Sequence, residues 1–549
     1  MNSFGTNERK LILWLASASS VVLCLFGNLG AIGLVGPDEP RYAWIARAMA
    51  ETGDWVTPRL YGEPWFEKPI LYYWAAAVGF RFHLSAEWAA RLPSAVAALA
   101  AALAIGSLAW KCYAKDASSF RSPALLAPLL FATSVAAVGF SRSASPDMLF
   151  SASMALAMTS AARLLARARA LRPGHAGETT GGGDGRQLAL FGLFVGLGVL
   201  AKGPAAMALA GGAIGLWALL THKWRAAFRL AHPIALGAFC VVALPWYVLC
   251  AKRNPDFLRV FVLQHNFERY LTPMFQHGQP LWFFGPIVAL ALVPWTALLW
   301  PVAQQALRLW HEKSWNDSPG VFVSCWAAFP VVFFSFSQSK LPGYVLPSIP
   351  PLALLCAIGA IRAMEKGGTE TRGVFGAVGI TWVLMGVAVW AALPRLARGG
   401  SENMHRLGTS VVIIGLLIGL LIVLVSAWRP PLAIAACVFT VAIAAEIVSL
   451  TVLPQLDPFL SARTHAAFMR NDQHPDRIFT YRLRRGWNYG LAFYFHREIP
   501  EWFPGDREAA LVLTTPDGLA AIRKLGRLQG ELDEPYVGVL YVPVGREPR

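Results

Sequence analysis

Apolar runs of roughly the length needed to cross a bilayer recur along the chain up to residue 452, separated by short polar turns. A helix of about 20 apolar residues spans about 30 Å of hydrocarbon. Thirteen such stretches are expected, near 11–33, 92–110, 123–140, 148–166, 187–203, 204–220, 232–250, 281–300, 320–337, 344–362, 373–393, 409–427 and 431–452. Several are short, and the pairs that meet at Asp147 and at Lys202 predict incomplete crossings. Gly and Pro are frequent inside them, as bilayer helices allow. The fold class predicted for residues 1–452 is therefore a polytopic α-helical membrane domain. After residue 453 the pattern shortens to strands at 477–481, 509–514 and 536–542, a helix at 518–528, and a helix or strand at 487–496. Residues 453–549 are expected to form a small α/β domain outside the membrane, a cap or docking module without a nucleotide fingerprint.

Composition supports this reading. Of 549 residues, 56% are hydrophobic and 15% charged, against about 25% charged in soluble domains. A soluble multidomain chain and a disordered one are both excluded. The net charge of +16 would suit nucleic acid in a soluble protein, but in a membrane chain the side of each charge matters more than the sum. Arg9 and Lys10 place the N-terminus in the cytoplasm, ahead of an uncleaved signal-anchor. Arg163, Arg167, Arg169 and Arg172, a Gly-rich linker at 177–185, and Lys223, Arg225 and Arg229 follow on the same side. Thirteen spans leave the C-terminus outside. Many of the 48 Lys and Arg then fall on outer loops, against the positive-inside rule, which leaves two readings open: a different threading, or an outer face that binds anionic groups such as lipid phosphates. The seven cysteines lie in or beside apolar segments without a CxxC pair, and neither a disulfide framework nor a zinc motif is expected.

The first outer loop, residues 34–91, is the most informative. It opens Gly36-Pro37-Asp38-Glu39-Pro40-Arg41-Tyr42, with two carboxylates at the end of the first apolar helix. Ionisable groups at membrane depth are costly and tend to be functional. From the dipeptide alone, a catalytic carboxylate and a solvated acid that ends the helix are equally open. Residues 43–49 predict an amphipathic helix in the interface plane, with Tyr42, Ile45 and Met49 on one face. Lys68 follows in an aromatic run from Trp65 to Trp74; it suits a headgroup phosphate and equally a snorkelling lysine. Asp147, Lys202 and Lys340 sit in turns at outer helix ends, and the loop 251–280 adds Lys252, Arg253, Arg259, His265, Glu268 and Arg269. Together these predict a basic, aromatic cavity facing outward, with Asp38, Glu39, Glu67 and Asp147 as its few acids. Glu67 and His265 form no metal-ligand spacing motif, and the sequence alone favours a hydrogen-bonded histidine.

Taken as a set, Gly36-Pro37-Asp38-Glu39-Pro40-Arg41-Tyr42-Ala43, Phe66-Glu67-Lys68-Pro69, Arg91-Leu92-Pro93-Ser94, Ser145-Pro146-Asp147, Ala201-Lys202-Gly203-Pro204 and the run Ser339 to Pro347 resemble the bacterial lipid A aminoarabinose transferases. These belong with the protein O-mannosyltransferase-like, polyprenyl-phosphate-dependent glycosyltransferases of GT-C architecture. The resemblance implies a multi-pass bacterial inner-membrane enzyme with a periplasmic site. Its donor would be undecaprenyl phosphate carrying 4-amino-4-deoxy-L-arabinose, and its acceptor a lipid A phosphate. Capping that phosphate weakens the binding of polymyxin and cationic peptides. By position, Asp38 with Glu39 resembles the catalytic group, and Lys68, Arg269 and Tyr344 the group that holds the donor phosphate. Arg41, Tyr42, Asp147, Lys202 and Lys340 are expected to line the substrate site, and Glu67 and His265 to hold a divalent ion such as zinc. Neither a nucleotide nor a nucleic acid partner is implied. The competing readings are a related transferase with another sugar or a protein or glycan acceptor, and a lipid transporter. Transporters often carry internal repeats, and none is found here. Glu446, inside the last span, is the one charge that departs from the outer face.

Overall fold

The computed structural model describes residues 6–113, 120–167, 183–261, 264, 278–312, 319–396, 402–426, 428–470, 477–506, 510–528, 533–536 and 539–544. Eight helices among them are long and apolar enough to cross a membrane, from Ala86–Cys112 to Pro430–Leu460. Two further spans are broken: Pro123–Ala132 bends by 60° into Val135–Ser141, and Leu281–Ala291 bends by 110° into Trp295–His311. Three shorter apolar helices, Lys10–Phe26, Ala205–Thr221 and Pro319–Ser335, complete the thirteen expected stretches. The chain is a polytopic membrane protein. Local chemistry sets several boundaries. Proline opens the helices at Pro123, Pro233 and Pro430, where its missing N–H costs nothing. The first break follows Thr133, and the Ser134 hydroxyl caps the next segment by accepting from Ala137 N–H. The helices Gly368–Leu396 and Glu402–Ser426 cross at Gly379 and Gly419, where a Cβ on Gly379 would stand 2.7 Å from the Gly419 carbonyl oxygen. Small residues permit that approach in a bilayer.

Some expectations are corrected. The first helix, α1 (Thr6–Phe26), stops well short of residue 33, because the chain turns at Asn28, whose φ is +41°. The second, α2 (Asp38–Thr52), is not an interfacial helix with one wet face. Ten of its fifteen residues are buried, Arg41 and Arg47 included. It ends at Gly53, in the left-handed region at φ +73°, whose N–H reaches the Met49 carbonyl. It packs on α3 (Leu71–Arg81), which leads to α4 (Ala86–Tyr113). Of the expected cytoplasmic linker, residues 177–182 lie outside the described residues, and Gly183 already opens a helix.

The last span runs on to Leu460, past the expected boundary at 452. Beyond it lies a four-stranded sheet. Ile478–Tyr481 pairs parallel with Ala510–Thr514, which pairs antiparallel with Val539–Val544, which pairs antiparallel with Asp533–Tyr536. The stretch expected as one strand at 536–542 is thus shared between two. The ambiguous segment 487–496 is a helix, Arg485–Phe495, and it packs on α2. Polar anchors fix the domain to the loop between α1 and α2. Asp457 Oδ1 accepts from Gly33 N–H at 2.7 Å. The Tyr494 hydroxyl accepts from Leu34 N–H at 2.8 Å and donates to Glu87 at 2.7 Å. Arg463 pairs with Asp457 at 3.0 Å.

Candidate active site

The first turn of α2 separates the two adjacent carboxylates. Successive helical residues point about 100° apart, so Asp38 and Glu39 face different surroundings. Glu39 is 5% exposed. Its Oε2 accepts from Arg91 Nη2 at 2.7 Å and from Val35 N–H at 2.8 Å, and its Oε1 accepts from Ala144 N–H at 2.7 Å. Arg91, itself buried, also donates to the carbonyls of Leu29, Ile32 and Gly33 at 2.7 Å each. Glu39 therefore ties the α1–α2 turn to α4 and to the turn before Asp147. Such saturation suits a group that holds loops and leaves little of it for a substrate.

Asp38 stands open. Its side chain is 58% exposed, whereas Arg41 behind it is 7% and Glu67 14% exposed. Arg41 Nη2 bridges Asp38 Oδ1 at 2.5 Å and Glu67 Oε2 at 2.9 Å, and Lys68 Nζ lies 3.5 Å from Glu67 Oε1. Partial burial, with Glu67 and Asp147 adding to it, raises the Asp38 carboxyl above the usual range, and Arg41 and Lys68 pull the other way. The Arg41 guanidinium is sandwiched among the rings of Tyr42, Trp65 and Tyr489, at 5.3, 5.3 and 5.6 Å. Arg41 Nε and the Tyr73 hydroxyl are buried without a protein partner among the described residues.

A second group lies near enough for Asp147 to act on the Asp38 carboxyl. Asp147, in the first turn of Asp147–Arg167, pairs with Lys202, in the last turn of Gly183–Lys202. Lys202 Nζ lies 4.8 Å from the centre of the Tyr344 ring and 5.6 Å from that of Phe150. Tyr344 sits in the turn Pro342–Ser348. That turn crowds Asp147: a Cβ on Gly343 would stand 3.3 Å from Asp147 Oδ2.

The expected residues therefore divide. Asp38, Arg41, Glu67 and Lys68 form one cluster, and Asp147, Lys202 and Tyr344 another. The field of Asp147 at Asp38 links them. Tyr42 is packed away, 2% exposed, against Tyr72 and Tyr73. Lys340 is 7% exposed and donates to the Gln279 carbonyl at 2.8 Å, an anchor for its own turn. Arg269 and His265 lie outside the described residues. The cavity is also less basic than expected among the described residues, since Arg41, Lys68 and Lys202 each meet a carboxylate. Glu67 is a poor fit for a divalent ion, because it already neutralises two cationic groups, Arg41 and Lys68. The described residues contain no group of three or more His, Cys, Asp or Glu that could hold a metal.

Tyr489 belongs to the helix Arg485–Phe495 of the C-terminal domain. Its ring also stacks on Tyr61, centre to centre 6.4 Å. Beside it, a Cβ on Gly486 would stand 3.0 Å from the Gly36 carbonyl carbon, so a larger residue would push the domain and the turn before Asp38 apart by a few tenths of an ångström. No local signal in the sequence marks Tyr489, because tertiary docking brings it to the site.

Comparison with known proteins gives consistent results. Residues 10–261 match the family model for dolichyl-phosphate-mannose-protein mannosyltransferase. The chain is 30% identical over 402 residues to the undecaprenyl phosphate-alpha-4-amino-4-deoxy-L-arabinose arabinosyl transferase of Erwinia tasmaniensis, which covers 72% of this chain and 69% of that protein. It is 31% identical over 401 residues to its counterpart in Pseudomonas aeruginosa, with the same shares of 72% and 69%. It spans 62% of the counterpart in Edwardsiella ictaluri, at 30% identity. Among solved structures, ArnT from Cupriavidus metallidurans bound to undecaprenyl phosphate superposes with a TM-score of 0.76 at 21% identity, covering 97% of this chain and 98% of that one. The archaeal oligosaccharyltransferase AglB from Archaeoglobus fulgidus shares the fold at a TM-score of 0.51 and 13% identity, over 93% of this chain and 70% of that one. The architecture is GT-C.

Proposed function

Since the chain belongs to the family of undecaprenyl phosphate–aminoarabinose arabinosyl transferases, we propose that it moves 4-amino-4-deoxy-L-arabinose from undecaprenyl phosphate to a phosphate of lipid A. The site would open to the periplasmic side of the bacterial inner membrane. The observation that carries this reading is Asp38: an open carboxylate at the head of a buried helix, held at 2.5 Å by Arg41 and neighboured by Lys68.

The chemistry asks for a place where a lipid-linked phosphate can leave. An oxygen of the acceptor phosphate attacks C1 of the sugar from the face opposite the donor. The C1–O bond breaks, and its electron pair stays on the undecaprenyl phosphate. Negative charge develops on that phosphate, and fixed cations lower its cost. Lys68 and Lys202 are the ammonium groups suited to this, with Tyr344 beside Lys202. Arg269 joins them by resemblance. The lipid tail remains in the bilayer, so no nucleotide fold is required.

The acceptor phosphate is already largely ionised near neutral pH, the second pKa of such esters being about 6. Proton abstraction is then a small part of the work. We assign Asp38 to orienting the acceptor and balancing charge on the amino sugar. Glu39 acts at one remove, by fixing the turn that carries Asp38. The test is transfer in vitro from a defined undecaprenyl-phosphate aminoarabinose to lipid A, read by mass spectrometry. A pentosamine-sized addition by the wild type, lost in Asp38→Asn, is expected. Equal transfer by the two proteins overturns the role of Asp38, and addition to a protein or glycan alone overturns the acceptor.

A further inference from the structure

A second cationic cavity lies at the opposite end of α2, where nothing above assigns a role. It has a volume of about 450 Å³ and is lined by Arg47, Arg81, His83, Arg470 and His496, with Glu51 as the carboxylate among its described lining residues. Arg47 is 8% exposed. One of its donors goes to the Phe493 carbonyl at 3.0 Å, and Glu51 stands at a long 3.9 Å with its own side chain 63% exposed. Arg470 donates to the Tyr494 carbonyl. Arg47 Nη1 also lies 3.4 Å from His496 Nε2, so each arginine spends one or two donors at the C-terminal end of the helix Arg485–Phe495, out of the five that a guanidinium carries. Burial and the neighbouring Arg47 and Arg470 hold His496 below its usual range, although Glu51 opposes them. The cavity is short of negative charge.

Its position narrows the occupant. The lining includes Ala86, the first residue of the apolar helix Ala86–Cys112, so the cavity lies at one end of a membrane span. Leu84 of its lining is 40% exposed, and Val78 and Phe82 nearby in sequence are 45% and 76% exposed; apolar side chains left open at the end of a span suit acyl chains. A free anion has no use for them. We propose that this cavity binds the phosphate of a lipid headgroup, with Arg47, Arg81 and Arg470 around its oxygens. Two sources share that chemistry: a bilayer phospholipid, and a second phosphate on the acceptor lipid. Arg47 stands nine residues along α2 from Asp38, about 14 Å along the axis and half a turn round it, so the acceptor would have to reach past the helix to use both sites. The proposal needs the chain only to lie in a bilayer, so it stands apart from the assignment of the sugar and of Asp38.

The test uses the full chain in detergent, with the donor site filled by undecaprenyl phosphate and fluorescent short-chain phosphatidic acid as probe. Saturable binding is expected, weakened about tenfold by Arg81→Gln combined with Arg470→Gln, which corresponds to about 1.4 kcal/mol. Both side chains are exposed, so an unchanged unfolding temperature is expected to accompany the loss. Acceptor KM separates the sources. A rise in the double variant for a bisphosphorylated acceptor, without one for a monophosphorylated acceptor, assigns the acceptor's second phosphate. Unchanged KM for both, with phosphatidic acid binding still weakened, assigns a bilayer lipid. Absence of saturable binding, equal affinity in the double variant, or displacement by inorganic phosphate as effective as by the lipid overturns the proposal.

Discussion

Arg41 Nη2 stands 2.5 Å from Oδ1 of Asp38, one turn along the same helix. The same nitrogen reaches Glu67 at 2.9 Å, so the exposed carboxylate is steered by a buried cation that a second carboxylate holds from behind. Replacing Asp38 by Asn keeps the shape and removes the charge. Transfer is expected to fall by about 10²-fold or more, the scale of losing one preorganised electrostatic contact to the reacting groups, with the thermal unfolding temperature unchanged. Arg41→Lys is expected to lower transfer as well, because an ammonium lacks the planar guanidinium that the rings of Tyr42, Trp65 and Tyr489 hold in place.

The raised carboxyl of Asp38 has a consequence for pH dependence. If the ionised form is the active one, transfer is lost as pH falls through the raised value. The acidic limb of the rate profile should therefore lie above the ordinary aspartate value of about 3.9. Glu67 is one of the groups that raise it. In Glu67→Gln that repulsion goes and Arg41 is left to Asp38 alone, and both changes move the limb to lower pH. In Arg41→Gln it should move upward. Rate profiles of the three proteins check the sign.

Much of this site is legible in the sequence, for a physical reason. Asp38, Asp147 and Lys202 are ionisable residues at helix ends beside Pro or Gly, where a long apolar run makes a charge conspicuous. The thirteen apolar stretches are legible for the same reason, although hydropathy alone did not locate the bends at residues 132–135 and 291–295. What the pattern leaves open is direction. Asp38 and Glu39 are neighbours in sequence, and only the positions of Arg91 and Ala144 decide which one is buried. The amphipathic reading of α2 failed because the C-terminal domain covers its outer face. Arg47 there lies 4.2 Å from the centre of the Phe493 ring, and no periodicity announces such a cover.

Glu39 and Arg91 supply a contrast with Asp38. Glu39→Ala leaves Arg91, which is 2% exposed, as a buried charge without its carboxylate. Breaking one partner of such a pair costs about 3–5 kcal/mol. Protein yield and unfolding temperature should therefore fall together with transfer, whereas Asp38→Asn loses transfer alone. Differential scanning fluorimetry alongside the transfer assay separates the two. A Glu39→Ala protein as stable as the wild type would contradict the anchoring role.

Tyr489 offers a way to ask whether the C-terminal domain takes part in the reaction. Its ring, 5.6 Å from the Arg41 guanidinium, needs only its π-face, and such contacts are worth about 1 kcal/mol. Tyr489→Leu is expected to lower kcat a few-fold through the orientation of Arg41 and Asp38. Tyr489→Phe should restore it. A domain that served only as a cover would make the Phe and Leu variants alike.

The pair Asp147–Lys202 is the last element that the reading requires, and a double-mutant cycle addresses it. Both side chains are largely buried, 23% and 12% exposed, and Lys202 also faces the Tyr344 ring at 4.8 Å. If Asp147 serves to hold Lys202 toward the leaving phosphate, Asp147→Asn and Lys202→Gln each raise the donor KM and lower kcat, and the double variant is little worse than either alone. Residues within one network couple by about 0.5–3 kcal/mol, up to about two orders of magnitude in kcat/KM. If the pair only joins two helix ends, the unfolding temperature shows the coupling and the kinetics do not. Additive kinetic losses would mean that the two residues act on the substrates separately, and Asp147 would then belong with Asp38 as a second carboxylate facing the sugar.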